Sequence, residues 1–241
     1  MISADVVVVG GGPAGAAAAI TLAEAGRHVI VVDKARFPRD KICGDGLTAA
    51  ALRQLEEMGV AVEAVQPWET VDDVWLRSPS GFAACFPLPR GQGMFAAVTP
   101  RASLDAAVLD RARAAGAEVH DGHGLVDASC GNGAVQLEVD DLGTVRAPYV
   151  IGADGMWSPL RHALGVFESG YLGDWHAFRQ YFSGVGTAAA EGLWVWFEPD
   201  LLPGYAWSFP LPGGRANVGF GIQRRPGRPT RAMGQQWEEL L

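Results

Sequence analysis

A glycine turn and an aspartate near the start of the chain have the residue types and spacing of a dinucleotide site. The turn Gly10–Gly15 reads GGGPAG and follows a run of valines that predicts a buried strand over 5–9. A small-residue helix is predicted over 13–25, and a second buried strand over 28–32 leads to Asp33. Helix N-termini bind phosphate, and an acid ending the second strand binds ribose hydroxyls. The pattern predicts dinucleotide binding without distinguishing NAD from FAD.

Each residue of this turn has an expected role. Gly10 permits the sharp turn, Gly12 lets a pyrophosphate approach the backbone, and Gly15 lets the helix lie close to the sheet. The helix begins at Pro13 and Ala14, so its partial positive charge points at the phosphates. The residues predicted to bind the dinucleotide here are Gly10, Gly12, Pro13, Ala14, Gly15 and Asp33.

A second glycine–aspartate turn, Gly152–Gly155, follows another predicted core strand. Asp154 can bind a ribityl or ribose hydroxyl, and a glycine such as Gly155 lets the backbone come near the pyrophosphate. Ser158 is a predicted N-cap before Arg161. A nicotinamide-binding domain has no reason to repeat such a turn, so the two turns together favour FAD over NAD.

Between these motifs lies a loop over 34–47 that is rich in charge and glycine. A loop of this length is often functional rather than a simple connector. Arg36, Arg39 and Lys41 could reach phosphates or ribose, or they could be solvated surface charges. A helix is predicted after the loop, over 48–58.

Composition and charge exclude several other classes of function. The net charge of −8 argues against nucleic acid as a partner and weakly against tight docking on anionic lipid. Cys43, Cys85 and Cys130 lie far apart without CxxC spacing, so we expect neither a disulfide framework nor a metal site. We expect a cytoplasmic protein, with peripheral contact to a membrane left open, and no oligomeric state is indicated.

The predicted fold class is α/β, with two domains that are each discontinuous or incomplete. A Rossmann-like FAD-binding domain, with a parallel sheet and a three-stranded β-meander over 123–150, is expected from residues 1–70 and 96–168. A mostly antiparallel β-sheet domain for substrate is expected from residues 71–95 and 169–241. Its strands are predicted at 174–184, 192–198, 205–211 and 215–222, and a last helix is predicted from Thr230.

Four stretches of the sequence carry a specific resemblance. They are Val9–Gly15, Phe37–Leu47, Ile151–Arg161, and Pro203–Pro210 with Val218–Gly221. Together they resemble the geranylgeranyl reductase family, within the flavoproteins folded like para-hydroxybenzoate hydroxylase. The fourth stretch, with the YxWxFP…GxG signature, is the most specific, and the second resembles the subgroup that reduces isoprenoid tails, including the side chain of menaquinone.

This resemblance implies bound FAD, reduced by NAD(P)H or another donor, that reduces a C=C bond of a polyprenyl lipid or quinone side chain. It places the substrate against Tyr205, Trp207 and Phe209, although these aromatic residues could instead be plain sheet core. It also implies a catalytic set of Cys43, Tyr205 and Trp207. Further cofactor contacts implied by the family are Lys34, Cys43, Gly44, Arg101 and Val126.

Two of these implied roles have ordinary structural alternatives. Cys43 could donate a proton or tune regiochemistry beside the flavin, or it could be a small buried residue in a tight loop. Arg101 could contact the cofactor or be a surface residue at a helix start.

The chain departs from the family in one respect. Family members carry a third flavin motif, a Gly-Asp-Ala turn, well beyond residue 241, and nothing in this sequence matches it. We therefore expect the N-terminal part of a longer enzyme, or a shortened member. Two other functions stay open: a flavin monooxygenase acting on an aromatic or polyketide compound, and a truncated, non-catalytic FAD-binding module.

Overall fold

The computed structural model describes residues 1–91, 93–225 and 232–240. Its strands are β1 (Ile2–Ser3), β2 (Val6–Val9), β3 (Val29–Asp33), β4 (Gly46–Thr48), β5 (Glu69–Thr70), β6 (Asp73–Arg77), β7 (Ala83–Pro87), β8 (Ala96–Val98), β9 (Glu118–Asp121), β10 (Leu125–Gly131), β11 (Ala134–Val139), β12 (Gly143–Ala147), β13 (Tyr149–Gly152), β14 (Trp175–Ser183), β15 (Leu193–Trp196), β16 (Tyr205–Leu211) and β17 (Arg215–Gln223). Its α-helices are α1 (Pro13–Glu24), α2 (Ala49–Glu57), α3 (Arg101–Ala114), α4 (Pro159–Ala163), α5 (Thr187–Glu191) and α6 (Ala232–Leu240).

The chain divides into two compact units. Unit 1 comprises Met1–Asp40, Gln54–Val62 and Ala102–Tyr171, and unit 2 comprises Lys41–Arg53, Glu63–Arg101 and Leu172–Leu241. The predicted boundaries are wrong in part, because residues 41–53, 63–70 and 96–101 group with unit 2 and residues 169–171 group with unit 1. Strands β4 and β5 both pair with β8, so the three strands form one sheet and group together. Assignment of one domain to FAD and the other to substrate stays a prediction.

Unit 1 is built around a parallel sheet in the order β13-β2-β3-β9. Its two central strands read VVVV and VIVVD, and the valines and isoleucine are buried, as in parallel strands covered on both faces. Both strands and helix α1 lie within two residues of the predicted bounds. The glycine turn therefore follows the carboxyl end of a central strand, where ligands bind in open α/β sheets.

A second sheet of unit 1, ordered β1-β12-β11-β10, contains the predicted three-stranded meander. Strand β11 alternates between buried Val135, Leu137 and Val139 and exposed Gln136 and Glu138. The buried set packs with valines and isoleucines of the parallel sheet into one apolar cluster. Both sheets of unit 1 thus share a core.

Unit 2 contains a six-stranded sheet in the order β14-β17-β16-β15-β6-β7. All its pairs are antiparallel except β15 with β6, which are parallel, so the expected mostly antiparallel sheet is confirmed. Strand β16 has the predicted bounds, 205–211. One face packs Phe220 and Trp237 into an apolar cluster, and the opposite face carries the aromatic residues of the YxWxFP signature.

The C-terminal helix is α6, and its predicted start at Thr230 lies outside the described residues. Within the described part of the chain, no helix combines the length and the apolar composition needed to cross a bilayer.

The alternation in β11 yields a stability prediction for unit 1. Leu137→Ala, at a fully buried site in the shared core, should lower the free energy of unfolding by about 2–5 kcal/mol, because it removes packed apolar area and leaves a cavity. The neighbouring Gln136→Ala, on the exposed face, should change it by less than about 0.5 kcal/mol. Urea unfolding followed by circular dichroism measures both, and equal losses would contradict the assigned faces.

Candidate functional site

Two glycines of the turn in unit 1 lie so close to other backbone atoms that no side chain fits there. Gly10 has φ +108°, and a Cβ there would overlap the carbonyl oxygen of Ala153. A Cβ at Gly15 would overlap the carbonyl oxygen of Gly10. Only glycine fits these two positions, so the protein itself requires them whether or not a ligand is bound.

Gly12 differs, because a Cβ built there would overlap no backbone atom of the described residues. Apart from its neighbours in the chain, such a Cβ would meet Nη2 of Arg39, at 3.4 Å, among the residues that the structure describes. Gly12 is the N-cap of α1, and no side chain of the described residues caps this helix. Pro13 and Ala14, the first residues of α1, are exposed. The free N–H groups and the open space provide room and partial positive charge for a phosphate group.

Asp33 closes the turn from the end of β3. Its Oδ2 accepts a hydrogen bond from the N–H of Gly11 at 2.7 Å, and its Oδ1 accepts from the N–H of Ala35 at 2.8 Å. Each oxygen keeps a second lone pair that can accept from a ribose hydroxyl. Lys34, beside it, is exposed and lies against Gly124, just before β10.

The charged loop folds back over the glycine turn. The Phe37 ring lies 3.3 Å from a Cβ built at Gly11, and the Arg39 guanidinium lies 4.7 Å from the centre of that ring. Nη1 of Arg39 pairs at 2.9 Å with Oδ2 of Asp105, a fully buried carboxylate of α3. Of the three cations considered from sequence, Arg39 is therefore the one placed beside Gly12.

The other two cations lie elsewhere. Arg36 contacts Gly122, and Lys41 is an exposed residue of unit 2.

The second glycine–aspartate turn also has a structural role. Oδ2 of Asp154 accepts a hydrogen bond from the N–H of Leu160 at 2.9 Å, and Ser158 caps the same short helix through the N–H of Arg161. The predicted N-cap is therefore confirmed. Gly155 is exposed with φ +80°. Contact of Asp154 and Gly155 with a cofactor stays a prediction.

In unit 2, the loop that precedes β4 is fastened through Asp45. This residue has φ +67° and is only 2% exposed. Its Oδ2 accepts from the Tyr181 hydroxyl at 2.6 Å and from Nδ2 of Asn217 at 2.8 Å, and its Oδ1 accepts from the N–H of Arg101 at 3.3 Å. Burial raises the pKa of Asp45, while these hydrogen bonds and the charge of Arg179 partly oppose the rise.

Asn217 connects this loop to the signature strand. Its Nδ2 also donates to the carbonyl oxygen of Cys43 at 2.9 Å, and its Oδ1 accepts from Nε1 of Trp207 at 3.1 Å. Two residues predicted to be functional, Cys43 and Trp207, are thus joined by one buried amide.

The three signature aromatic residues lie on one face of β16, but their exposure differs. Trp207 is 6% exposed, whereas Tyr205 is 43% exposed. The Trp207 ring lies directly over Gly219 of β17, where a Cβ would overlap it. Phe209 lies 3.1 Å from a Cβ built at Gly44. Trp207 and Phe209 therefore pack against the loop, and their contact with a substrate stays a prediction.

Two further residues were predicted to contact the cofactor. Val126 is 69% exposed on β10, and Arg101 begins α3 with its backbone N–H donating a hydrogen bond to Asp45.

Asn217 and Tyr181 were not among the predicted site residues. A polar Asn inside an otherwise apolar strand, Ala216–Val218, was the signal available for Asn217. Tyr181 carried no such signal.

The residues of unit 1 fit the phosphate and ribose end of a dinucleotide. An uncapped helix N-terminus, an open Gly12, a cation beside it and an acid at the end of β3 supply the groups this end requires.

The sequence from 3 to 199 matches the family described as FAD binding domain. This match covers most of the chain, and the chain therefore belongs to the FAD binding domain family. The fold class predicted from sequence is confirmed by the same match and by similar solved structures.

Relatives with assigned names support the predicted resemblance. A menaquinone reductase of Mycolicibacterium smegmatis is 38% identical, over 95% of this chain and 57% of its own length. Digeranylgeranylglycerophospholipid reductase 1 of Methanopyrus kandleri is 34% identical, over 95% of this chain and 60% of its own length. The resemblance to geranylgeranyl and menaquinone reductases is thus confirmed.

A solved structure has a similar fold. It is a geranylgeranyl bacteriochlorophyll reductase-like protein from Thermoplasma acidophilum, with a TM-score of 0.82 and 24% identity over 99% of this chain and 62% of that chain. The present chain spans less than two thirds of the length of each of these three proteins.

The open space at Gly12 yields a prediction that separates binding from folding. Gly12→Val should abolish FAD binding, because the branched side chain occupies the space of the pyrophosphate, while the free energy of unfolding should change by no more than about 1 kcal/mol. Equilibrium dialysis with FAD and urea unfolding provide the two measurements. Gly131→Val is the control for the added side chain, since a Cβ at Gly131 meets no atom of the described residues within 4 Å and lies outside the glycine turn. Unchanged FAD affinity in Gly12→Val would refute the phosphate site.

Asp45 yields a prediction about pH. Its raised pKa means that the folded protein keeps a proton that the unfolded chain loses above about pH 4. Ionisation of Asp45 therefore costs stability as pH rises toward the raised pKa. Asp45→Asn removes the titration, and asparagine tolerates the positive φ.

We expect the stability of the parent chain relative to Asp45→Asn to fall as pH rises from about 4. Urea unfolding followed by tryptophan fluorescence measures this stability. The signal reports on unit 2, which contains Asp45, because every tryptophan except Trp157 lies in that unit. A difference that is constant or grows with pH would contradict the assignment.

Proposed function

We propose that the chain is the FAD-binding part of an oxidoreductase that reduces C=C bonds in a polyprenyl substrate, either an isoprenoid lipid or a quinone side chain. The observation that carries the proposal is the open Gly12 at the uncapped N-terminus of α1, with Arg39 beside it. The names of the relatives, menaquinone reductase and digeranylgeranylglycerophospholipid reductase, support the substrate class.

At the phosphate end, the chain's own residues bind and orient the cofactor. The N–H groups at the start of α1 and the guanidinium of Arg39 would donate hydrogen bonds to the pyrophosphate, and Asp33 would accept from a ribose hydroxyl. The ion pair with buried Asp105 fixes Arg39, so its side chain is ordered before a ligand binds. Bound FAD, once reduced by NAD(P)H or another donor, supplies the hydride for the reduction.

At the substrate end, the exposed face of Tyr205 offers apolar surface to an isoprenoid, on the same face of β16 as Trp207 and Phe209. Cys43, half-buried in the loop beside them, carries the thiol that we assign to proton donation or regiochemical control. Peripheral contact with a membrane follows if the substrate is a membrane lipid.

The first experiment is a titration of the 241-residue chain with FAD. We expect the visible absorption bands of oxidised flavin to shift and sharpen as FAD leaves water for the protein, and the bound flavin to stay with the chain in gel filtration. Absence of any bound flavin would show that the chain is a module that does not hold FAD, and the proposed function would fail for it.

The second experiment separates reductase from monooxygenase. With flavin reduced by dithionite under strictly anaerobic conditions, a menaquinone should gain two hydrogens in its side chain. Any quinol is reoxidised to the quinone after extraction, and tandem mass spectrometry then locates the two added hydrogens in the polyprenyl chain. Boiled chain with the same reduced FAD is the control for uncatalysed reduction. A strict requirement for O₂, with an oxygen atom in the product, would favour the monooxygenase and refute the reductase.

A further inference from the structure

Both N–H groups and the oxygen of the Asn217 side-chain amide take part in hydrogen bonds. Its side chain is 0% exposed, both N–H groups donate, one to the Cys43 carbonyl and one to Asp45, and its oxygen accepts from the Trp207 indole. Because the three partners include a donor and two acceptors, only one orientation of the amide satisfies them. The amide is therefore a fixed connector and not a passive core residue.

The loop that it holds would not adopt its conformation unaided. Asp45 stands at φ +67°, a conformation that non-glycine residues rarely adopt, and its side chain is buried beneath the sheet face. Tyr181 and Asn217, on two neighbouring strands, both donate to the same oxygen of Asp45. Nη2 of Arg179 donates to the carbonyl oxygen of Lys41 at 3.4 Å, at the start of the same loop.

We propose that Asn217 and Asp45 are positioning residues that hold the Cys43 loop in register with Trp207. Neither needs to touch a reacting atom. Asn217 fixes the backbone of Cys43 and the plane of the Trp207 ring together, so movement of one displaces the other. Asp45 anchors the loop by accepting hydrogen bonds from the Tyr181 hydroxyl and from the backbone N–H of Arg101.

The catalytic meaning of this inference rests on the proposed function, which assigns Cys43 to the flavin side and Trp207 to the substrate side. The inference that Asn217 and Asp45 hold the loop in place does not rest on the proposed function, because every contact it uses lies within unit 2. The network therefore allows a test that needs no cofactor.

The test measures how fast Cys43 reacts with a neutral alkylating reagent, iodoacetamide, in the native chain. Cys85→Ser and Cys130→Ser first remove the other two thiols, both of which are exposed. In this background Asn217→Ala should raise the alkylation rate of Cys43 by about tenfold, because the loop loses its two hydrogen bonds from Asn217 and opens more often.

A matched control separates positioning from general destabilisation. Phe220→Leu weakens the apolar cluster on the opposite face of β17, the strand that carries Asn217, and touches none of the loop contacts. At a urea concentration where both variants are equally far from their unfolding midpoints, only Asn217→Ala should show faster alkylation. Equal acceleration in both variants, or none in Asn217→Ala, overturns the inference.

Tyr181→Phe provides a second variant if Asn217→Ala fails to fold. Tyr181 is 41% exposed, so loss of its hydroxyl leaves the sheet intact while Asp45 loses one donor. We expect a severalfold rise in the alkylation rate of Cys43, and an unchanged rate would overturn the inference.

The two proposals fail separately. If the parent chain binds no FAD but the alkylation contrast holds, the proposed function fails and the positioning inference stands. If FAD binds normally and the alkylation contrast is absent, the positioning inference alone fails.

Discussion

Close packing of the backbone at the glycine turn is the constraint on which unit 1 depends. A side chain at Gly10 or Gly15 would overlap a carbonyl oxygen of the protein, so the turn and helix α1 can form only with glycine at both positions. The same packing leaves Gly12 as the one position of the motif where the backbone faces space and a cation. The motif thus divides into two glycines that the fold requires and a third, Gly12, which we propose is required by a phosphate.

Unit 2 depends on a different constraint, the need to satisfy polar groups that are buried. Asp45 and Asn217 are almost inaccessible to water, and each would be costly to bury without partners. Their hydrogen bonds fasten a loop with an unfavourable backbone conformation to strands β14 and β17, and Asn217 also accepts from Trp207 of β16. An amide whose two N–H groups and oxygen are all bonded specifies a single arrangement, and our inference is that this arrangement aligns the Cys43 loop with Trp207.

Local patterns in the sequence were enough to predict β2, α1, β3 and β16, because burial on both faces, glycine spacing and alternation are read within about ten residues. The partners of Asp45 were not predictable in this way. Asn217 lies 172 residues away and Tyr181 lies 136 residues away, so only the folded chain brings them together. Likewise, nothing local distinguished Arg39 from Arg36 and Lys41, and its placement depends on Asp105 of a distant helix. The grouping of residues 41–53 with unit 2 depends on strand pairs that equally lack a local signal.

The central claim is that unit 1 binds a dinucleotide by its phosphate and ribose groups. Calorimetric titration with ADP, which carries only that end of FAD, tests it without the flavin ring. The account predicts that ADP binds, that it competes with FAD, and that its affinity falls as salt rises, because Arg39 and the N-terminus of α1 act through charge. Riboflavin, which lacks the phosphates, should bind at least about tenfold more weakly than FAD, a difference of 1.4 kcal/mol or more. Binding of riboflavin as tight as that of FAD, with no binding of ADP, would contradict the account.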